Sequence, residues 1–302
     1  MEDVLIKSFT FVLIIFIGYM FKRFKILDKK DANIIATIVM NITLPCALLS
    51  NGQGIVISPI VLVLILVGVG SNVVMMLLGY LGSKKENHLT KAAYMINSSG
   101  YNIGNFVMPF TTAFFPGMGI AYLISFDMGN SLMCLGVTYA LASQVATGKS
   151  DFKLSQVIKK LFSSIPFDVY ILIFLLSLFD ISMPRAVLDV TSTIGAGNSF
   201  LAMLMIGLML EIKIPSKELT SVIKVLGIRI IGFIVLALFI MILPIPTLAK
   251  HIVILALAAP LTTVSAVYST RIGYEADMPA VANSLSIIIA IAMITGLLMM
   301  FV

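Results

Sequence analysis

Long apolar runs separated by short polar loops are the dominant feature of this 302-residue sequence. Measured against the roughly 20 residues that an α-helix needs to cross a bilayer, they predict ten spans. The predicted spans are 4–21, 33–50, 56–82, 90–115, 119–146, 165–181, 186–212, 221–243, 250–270 and 279–302. Hydrophobic residues make up 60% of the chain and charged residues only 11%, which is far more apolar than a soluble domain requires. The sequence therefore predicts an all-α integral membrane protein.

The positions of lysine and arginine predict the orientation, because cytoplasmic loops of membrane proteins are enriched in both residues. With the first loop in the cytoplasm, 17 of the 20 basic residues fall on that side, a count that assigns Arg229 to a cytoplasmic loop. Only Lys7, Arg185 and Lys250 fall on the other side. Both termini are therefore predicted to lie outside.

Five predicted spans lie on each side of a polar stretch at 147–164, which we interpret as a cytoplasmic connecting loop. The first half is 1–146 and the second half is 165–302. Because five is an odd number, the second half enters the membrane from the opposite face, and the two halves form an inverted repeat. Many alternating-access transporters are built on such repeats.

The segment 101–112, Tyr-Asn-Ile-Gly-Asn-Phe-Val-Met-Pro-Phe-Thr-Thr, lies at the centre of the fourth predicted span. Pro109 lacks an N–H group and clashes with the carbonyl four residues back, while Gly104 loosens the preceding turn. Backbone groups that are freed in hydrocarbon must be satisfied by protein or by a water-filled cavity. The segment is either an ordinary proline-kinked helix or a helix broken at a binding site.

A second copy of this pattern favours the broken helix. Pro260–Thr263 repeats the Pro-x-Thr-Thr pattern of Pro109–Thr112 at an offset of 151 residues, and Asn283–Leu285 repeats Asn130–Leu132 at an offset of 153. Paired interruptions at corresponding places in two halves indicate the binding site of a secondary transporter. We therefore expect broken helices in spans 4 and 9.

Three motifs resemble the auxin efflux carrier family, whose bacterial members include proteins assigned as malonate or malate permeases. They are Asn41–Leu48 in span 2, Asn102–Asn105 with Pro109 in span 4, and Phe126–Asn130 in span 5. The resemblance covers the whole chain. It implies two inverted five-helix repeats with crossed broken helices (spans 4 and 9), similar to bile-acid symporters and sodium/proton antiporters. It also implies a transport domain of spans 3–5 and 8–10, a scaffold of spans 1, 2, 6 and 7, and a homodimer formed through the scaffold.

Polar residues near the predicted breaks are candidate substrate ligands. If the helix breaks near Asn105–Pro109, its free N–H groups point into the site and favour an anion such as a carboxylate. The amides of Asn102 and Asn105 either contact the substrate or only cap the broken ends. The hydroxyl groups of the second half either play the same part or bond back to their own helix. The predicted substrate-binding residues are Asn102, Gly104, Asn105, Pro109, Asn41, Thr43, Pro260, Thr262, Thr263 and Ser265.

Asp127 is the one acid that falls well inside a predicted span, and an ionisable residue at that depth is a functional candidate by default. Asn130 lies three residues later on the same helix face and can hydrogen-bond the carboxyl group. Asn283, which matches Asn130 in the repeat, completes the predicted coupling set. Asp127 either carries a proton coupled to transport or is a structural acid. No basic residue is expected at a matching depth, which favours the structural role.

The sequence carries no recognisable catalytic or metal-binding pattern. His88 and His251 do not form a metal-ligand spacing, and Walker A and Gly-x-Ser-x-Gly motifs are absent. Cys46 and Cys134 fall in different apolar spans, where packing is the expected role. We therefore expect no enzymatic activity, no cofactor, no metal and no nucleic-acid partner.

The function expected from the sequence is secondary transport of a small organic anion across a bacterial cytoplasmic membrane. The expected substrate is a mono- or dicarboxylate such as malate or malonate, moved by elevator-type alternating access. The expected partners are this anion and the lipid bilayer. Two alternatives remain open: a cation/proton antiporter that uses Asp127, and a non-transporting membrane receptor.

Overall fold

The computed structural model describes residues 2–52, 59–148, 154–211 and 217–302. Within these ranges the chain is helical and contains no β-strand, so the predicted all-α class is confirmed. Seven of the described helices are long and apolar enough to cross a membrane: Leu5–Arg23, Lys30–Asn51, Pro59–Gly82, Met118–Thr147, Arg185–Met209, Leu219–Ile242 and Met278–Phe301. Parts of three predicted regions lie outside the described residues: 56–58 of span 3, 149–153 of the connecting loop, and 212 of span 7.

The described residues of the first half form eight α-helices. They are α1 (Glu2–Arg23), α2 (Lys29–Ile38), α3 (Leu44–Asn51), α4 (Pro59–Gly82), α5 (His88–Ser98), α6 (Met108–Phe114), α7 (Met118–Leu132) and α8 (Thr138–Thr147). Local sequence explains several of the ends. Asp28 and Asp31 form a capping box at the start of α2, and Gly148 ends α8 in the left-handed conformation with φ 69°.

The described residues after 153 form eight more helices. They are α9 (Leu154–Leu161), α10 (Ile165–Leu178), α11 (Arg185–Gly195), α12 (Asn198–Met209), α13 (Leu219–Ile242), α14 (Thr247–Leu257), α15 (Val264–Arg271) and α16 (Met278–Phe301). The short helix α9 lies in the stretch predicted to be a connecting loop. Pro166 and Pro279 occupy the first turns of α10 and α16, where the missing N–H group has no intrahelical partner to lose.

Three five-residue π-helical turns continue the α-helices: Val39–Thr43, Ile103–Val107 and Met133–Val137. Two of them end two residues before a proline, at Pro45 and Pro109. Proline cannot donate to the carbonyl group four residues earlier and clashes with it, and a widened turn accommodates both problems. Pro109 therefore lies within a continuous helical segment and does not break it.

Two helices are nonetheless interrupted. The first interruption, residues 99–102, separates α5 from the helical segment that starts at Ile103. The second interruption, residues 258–263, separates α14 from α15. The prediction of a break near Asn105–Pro109 was thus wrong by several residues. Pro109 follows the first interruption whereas Pro260 lies inside the second, so the repeated Pro-x-Thr-Thr pattern does not mark equivalent positions.

The helices pack in two groups. One contains α1, α2, α3, α10, α11 and α12, and the other contains α4 to α8 and α13 to α16. Glycines allow close approach inside each group: a Cβ atom on Gly207 in α12 would meet the backbone of α1, and a Cβ atom on Gly129 in α7 would meet the backbone of α4. The interruptions and α7 lie where the second group faces the first.

Candidate functional site

A cavity of about 110 Å³ lies beside the two interruptions, and we call it the central cavity. Seven of the predicted site residues line it: Asn102, Gly104, Asn105, Asp127, Asn130, Thr262 and Thr263. They come from the first interruption and the π-helical turn that follows it, from the second interruption, and from α7. Met40 and Leu44 close the cavity on the side of α2 and α3.

Two further predicted residues, on the helix that runs from α2 to α3, do not line the central cavity. Asn41 lies on the exposed surface, because it points away from the face that carries Met40 and Leu44. Thr43 is buried and donates a hydrogen bond from Oγ1 to Oδ1 of Asn198 at 3.1 Å. Its contact is therefore with α12.

The remaining four predicted residues also lie away from the cavity wall. Pro109 is buried in the first turn of α6, and Pro260 contributes its carbonyl group to the contact between the interruptions. Ser265 is buried in α15, and its Oγ atom has no hydrogen-bond partner in the described structure. Asn283 is half-buried in α16, and its Oδ1 atom is likewise without a partner in the described residues.

Side chains from neighbouring helices satisfy the backbone of the first interruption. Asn130 accepts a hydrogen bond from the Tyr101 N–H group at 3.1 Å and donates one to the Tyr101 carbonyl oxygen at 2.9 Å. Asn72, in α4, accepts from the Gly100 N–H group at 2.8 Å. The Asn102 N–H group donates to the carbonyl oxygen of Pro260 at 3.1 Å. The open backbone is thus held by protein groups, as buried backbone requires.

Arg229 is buried near the middle of α13 and is not a loop residue, so the sequence-based count misplaced it. Its Nη1 atom donates to the carbonyl oxygens of Ser98 at 2.8 Å and Gly100 at 2.9 Å. Its Nη2 atom donates to the carbonyl oxygen of Ala259 at 2.9 Å. The expectation that no basic residue lies at the depth of Asp127 was therefore wrong, because Arg229 binds the carbonyl of Gly100 next to Tyr101, whose backbone is bound by the Asp127 partner Asn130.

Asp127 is buried and lines the central cavity. Its Oδ1 atom accepts a hydrogen bond from Asn130 Nδ2 at 2.8 Å, as the sequence spacing predicted. Its Oδ2 atom accepts from the hydroxyl group of Tyr170, in α10, at 2.7 Å. Among the described residues that line the cavity, Asp127 is the single carboxylate. The bond to Asn130 lies within α7, and the bond to Tyr170 links α7 to the group of helices that contains α10.

Two amide atoms in the cavity wall have no hydrogen-bond partner among the described residues: Asn102 Nδ2 and Asn105 Oδ1. Leaving a buried polar atom without a partner costs about 1–3 kcal/mol. The helical segment starting at Ile103 and the helix α15 both begin at this cavity, with Thr263 and Val264 lining it at the second start. Helix N-termini carry free N–H groups and positive potential. Asn102 Nδ2 and these N–H groups can therefore donate to a small anion, whereas Asn105 Oδ1 can only accept, from a hydroxyl or protonated carboxyl group of the ligand.

A second, larger cavity of about 210 Å³ lies further along the helix that runs from α2 to α3, and we call it the outer cavity. Ala47 and Asn51 of α3 line it, about two turns or 10 Å along the helix from Met40 and Leu44. The rest of its wall is small and polar: Ser50, Thr112, Ser192, Gly195, Ala196, Asn198 and Ser199. The face of one helix thus connects two polar spaces.

The helix α9 leads from the first half of the chain to the rim of the central cavity. Lys160 in α9 lies over the rings of Tyr139 and Tyr268, with Nζ 5.0 and 4.6 Å from their centroids, and donates to the Tyr268 hydroxyl at 3.3 Å. Burial and the nearby Arg271 lower the pKa of Lys160 from its ordinary value. Phe167, just after α9, lines the cavity.

Three residues of the site were missed in the sequence. Arg229 and Asn72 were detectable, because each is a polar residue in the interior of a long apolar run, where polar groups are costly. Tyr170 carries no such signal, since an aromatic residue in an apolar helix is ordinary packing material.

Comparison with known proteins adds no relative. No protein-family model matches the chain, and no curated protein matches it. The function is therefore inferred from the geometry of the central cavity and its surroundings.

Proposed function

We propose that this chain is a secondary transporter of a small organic anion, a mono- or dicarboxylate such as malate or malonate. The observation that carries the proposal is the contact between the two interruptions at Asn102 and Pro260, with two helix starts and unpartnered amide atoms facing one buried cavity. Paired helix interruptions of this kind form the substrate sites of secondary transporters. A cavity of about 110 Å³ has the volume of about three or four waters, which suits a small carboxylic acid.

The proposal includes ten spans, the seven long apolar helices together with α5–α6, α10 and α14–α15. Corresponding helices of the two halves then begin at an offset of about 160 residues, as an inverted repeat of five spans requires. The paired starts are Glu2 with Ile165, Lys29 with Arg185, Pro59 with Leu219, His88 with Thr247, and Met118 with Met278. This offset supports the repeat better than the sequence motifs do.

We assign the chain to the bacterial permease branch of the auxin efflux carrier family, in the cytoplasmic membrane with both termini outside. The two groups of helices support a scaffold (α1–α3 and α10–α12) and a transport domain (α4–α8 and α13–α16). The interruptions belong to the transport domain, whereas Met40 and Leu44 belong to the scaffold. Sliding of one group against the other would move the site from one side of the barrier to the other.

In this mechanism the substrate carboxylate accepts hydrogen bonds from Asn102 Nδ2 and from the backbone N–H groups of Gly104 and Asn105, because the Ile103 N–H group already donates to the Tyr101 carbonyl oxygen at 3.0 Å. The central cavity contains no lysine or arginine among its described lining residues. Uncharged donors and helix ends bind an anion while allowing it to leave again. Such reversible binding is what a carrier needs.

Transport in liposomes tests the proposal. Purified protein reconstituted in liposomes should take up labelled malonate or malate, and Asn105→Ala should abolish the uptake while leaving the protein folded. Asn33→Ala is the matched control, because Asn33 is an exposed amide in α2. Uptake by Asn105→Ala at the rate of the wild type would remove the assigned site.

A cation/proton antiporter is the second candidate, because Asp127, the one carboxylate among the described residues of the cavity wall, is buried where a proton carrier would be needed. Vesicles with an internal pH dye distinguish the two functions. Sodium, potassium or lithium would change the internal pH if the chain were an antiporter, and a carboxylate would not. Carboxylate binding without uptake would instead indicate a receptor.

A further inference from the structure

Arg229 lies at a place where other broken-helix transporters hold an ion. In such transporters, unwound backbone carbonyls and the C-terminal ends of half-helices coordinate the coupling cation. Here the last residue of α5 offers the carbonyl of Ser98, the first interruption offers that of Gly100, and the second interruption, just after α14, offers that of Ala259. All three carbonyl oxygens accept hydrogen bonds from the guanidinium group of Arg229, at 2.8 to 2.9 Å.

The charges of this arrangement balance. The C-terminal end of a helix carries about half of a negative elementary charge, so two converging ends carry about one. One guanidinium group supplies one positive charge. In the described part of the chain Arg229 forms no salt bridge with a carboxylate, so its charge is directed to the two helix ends.

The guanidinium group is suited to this position by its shape. It is planar, permanently charged and presents five donors, whereas the ammonium group of lysine is a compact point charge. Its three observed bonds span two separate helices, α5 and α14, in one plane of donors. The ring of Tyr101 lies 5.4 Å from the guanidinium carbon and covers it.

Arg229 does not line the central cavity. It lies in a separate small cavity of about 30 Å³, and Tyr101 contributes to the walls of both spaces. The backbone of Tyr101 is also held by Asn130, which faces the central cavity. Arg229 is therefore a positioning residue, which acts on the anion site through the interruption it binds.

We propose that Arg229 is a tethered cation that replaces a coupling sodium ion at the contact between the two interruptions, so that anion binding in the central cavity is independent of sodium. The first part concerns only the fold of this chain. The second part rests on the proposed transport function.

Chemical rescue tests the tethered cation. Arg229→Ala should lower the apparent melting temperature of the detergent-purified protein by at least about 5 °C. Millimolar guanidinium or methylguanidinium, added in place of the lost side chain, should recover a large part of this loss, and sodium or potassium at the same concentration should not. Lys224→Ala is the matched control, because it removes a positive charge from the exposed end of the same helix. A loss no larger than that of Lys224→Ala, or equal effects of guanidinium and sodium, would overturn the proposal.

A second variant keeps the test decisive if Arg229→Ala does not fold. Arg229→Lys retains the charge but not the planar set of donors, so its melting temperature should fall between those of the wild type and of an Arg229→Met variant. Equal stability of the wild type and Arg229→Met would contradict a charge-balancing role. An Arg229→Lys variant that is no more stable than Arg229→Met would contradict it as well.

Sodium dependence tests the second part. Thermal shifts of the wild type with malonate should give the same dissociation constant, within about twofold, in sodium chloride and in choline chloride. Binding that is tenfold tighter in sodium would overturn sodium independence. If no carboxylate binds in either salt, the proposed function fails, and the guanidinium rescue still decides the position of the tethered cation.

Discussion

The N–H group of Asn102 donates a 3.1 Å hydrogen bond to the carbonyl oxygen of Pro260, and this bond joins the two helix interruptions. Neither group has a partner in its own helix at this point, because α5 has ended and α15 has not begun. Each interruption therefore satisfies part of the other. The two open segments form one unit, and a change in either one is transmitted to the cavity wall.

Replacing Asn130 should lower the stability of the two joined interruptions even when no substrate is bound. Asn130→Ala removes two hydrogen bonds to the Tyr101 backbone and one to Asp127. Since buried groups left without partners cost about 1–3 kcal/mol each, we expect a loss of about 2–5 kcal/mol in the free energy of unfolding. Ser131→Ala is the control, because Ser131 also lines the cavity. Thermal unfolding of both variants without ligand gives the comparison, and equal stabilities would contradict the role of Asn130.

Neutralising Asp127 should strengthen anion binding. In its ionised form the carboxylate repels a substrate anion in the same cavity, and two charges about 4 Å apart interact by about 1–4 kcal/mol at a protein surface. Asp127→Asn is therefore expected to bind malonate at least about fivefold more tightly in a titration calorimeter.

Tyr170→Phe is the matched control for that comparison. It removes the 2.7 Å hydrogen bond to the carboxylate but keeps the charge, so its affinity should not rise. Weaker malonate binding by Asp127→Asn than by Tyr170→Phe would contradict the repulsion and show that the carboxyl group takes part in binding the ligand.

The sequence predicts those residues of the central cavity whose position follows from the free-energy cost of placing polar groups in an apolar environment. Asp127, Asn102 and Asn105 are polar groups deep in apolar runs, and such groups are retained where they face one another or a cavity. Their convergence in the structure follows from that rule. Arg229 obeys the same rule, and it was missed only because the orientation count treated every basic residue as a loop residue.

The position of the first interruption was not predictable from Pro109. A proline disturbs the carbonyl four residues back, but a π-helical turn at Ile103–Val107 absorbs the disturbance without ending the helix. The actual interruption at 99–102 contains Ser99 and Gly100 and no proline. It is held open by Asn72, Asn130 and Arg229, and such tertiary contacts leave no local signal in the sequence.

Close packing of α4 against α7 should depend on Gly68 and not on Gly70. A Cβ atom added to Gly68 would lie 2.2 Å from the carbonyl oxygen of Phe126, so Gly68→Ala must push the two helices apart. We expect it to destabilise the protein by about 1–3 kcal/mol. Gly70→Ala, in the same helix, has no atom within 4 Å of its new Cβ and should be neutral or stabilising by up to about 1 kcal/mol. Equal melting temperatures for the two variants would show that the helices are not packed as closely as described.

Lys160 should hold α9 against the rest of the protein. Its ammonium group lies over Tyr139 and Tyr268. Val157 of the same helix packs directly against Gly136, so closely that a Cβ atom on Gly136 would clash with it. Two cation–π contacts at a partly exposed site contribute about 1 kcal/mol together, which corresponds to about a fivefold change in local opening.

The measurement is hydrogen exchange of the backbone amides of α9, followed by mass spectrometry. Lys160→Ala should exchange about fivefold faster in this helix than the wild type, whereas Lys159→Ala, which removes an exposed charge one residue away, should not. Faster exchange in both variants would assign the effect to net charge, and no change in either would show that the two rings do not hold α9. Because Phe167, just beyond α9, lines the central cavity, release of α9 should also speed the dissociation of malonate from Lys160→Ala.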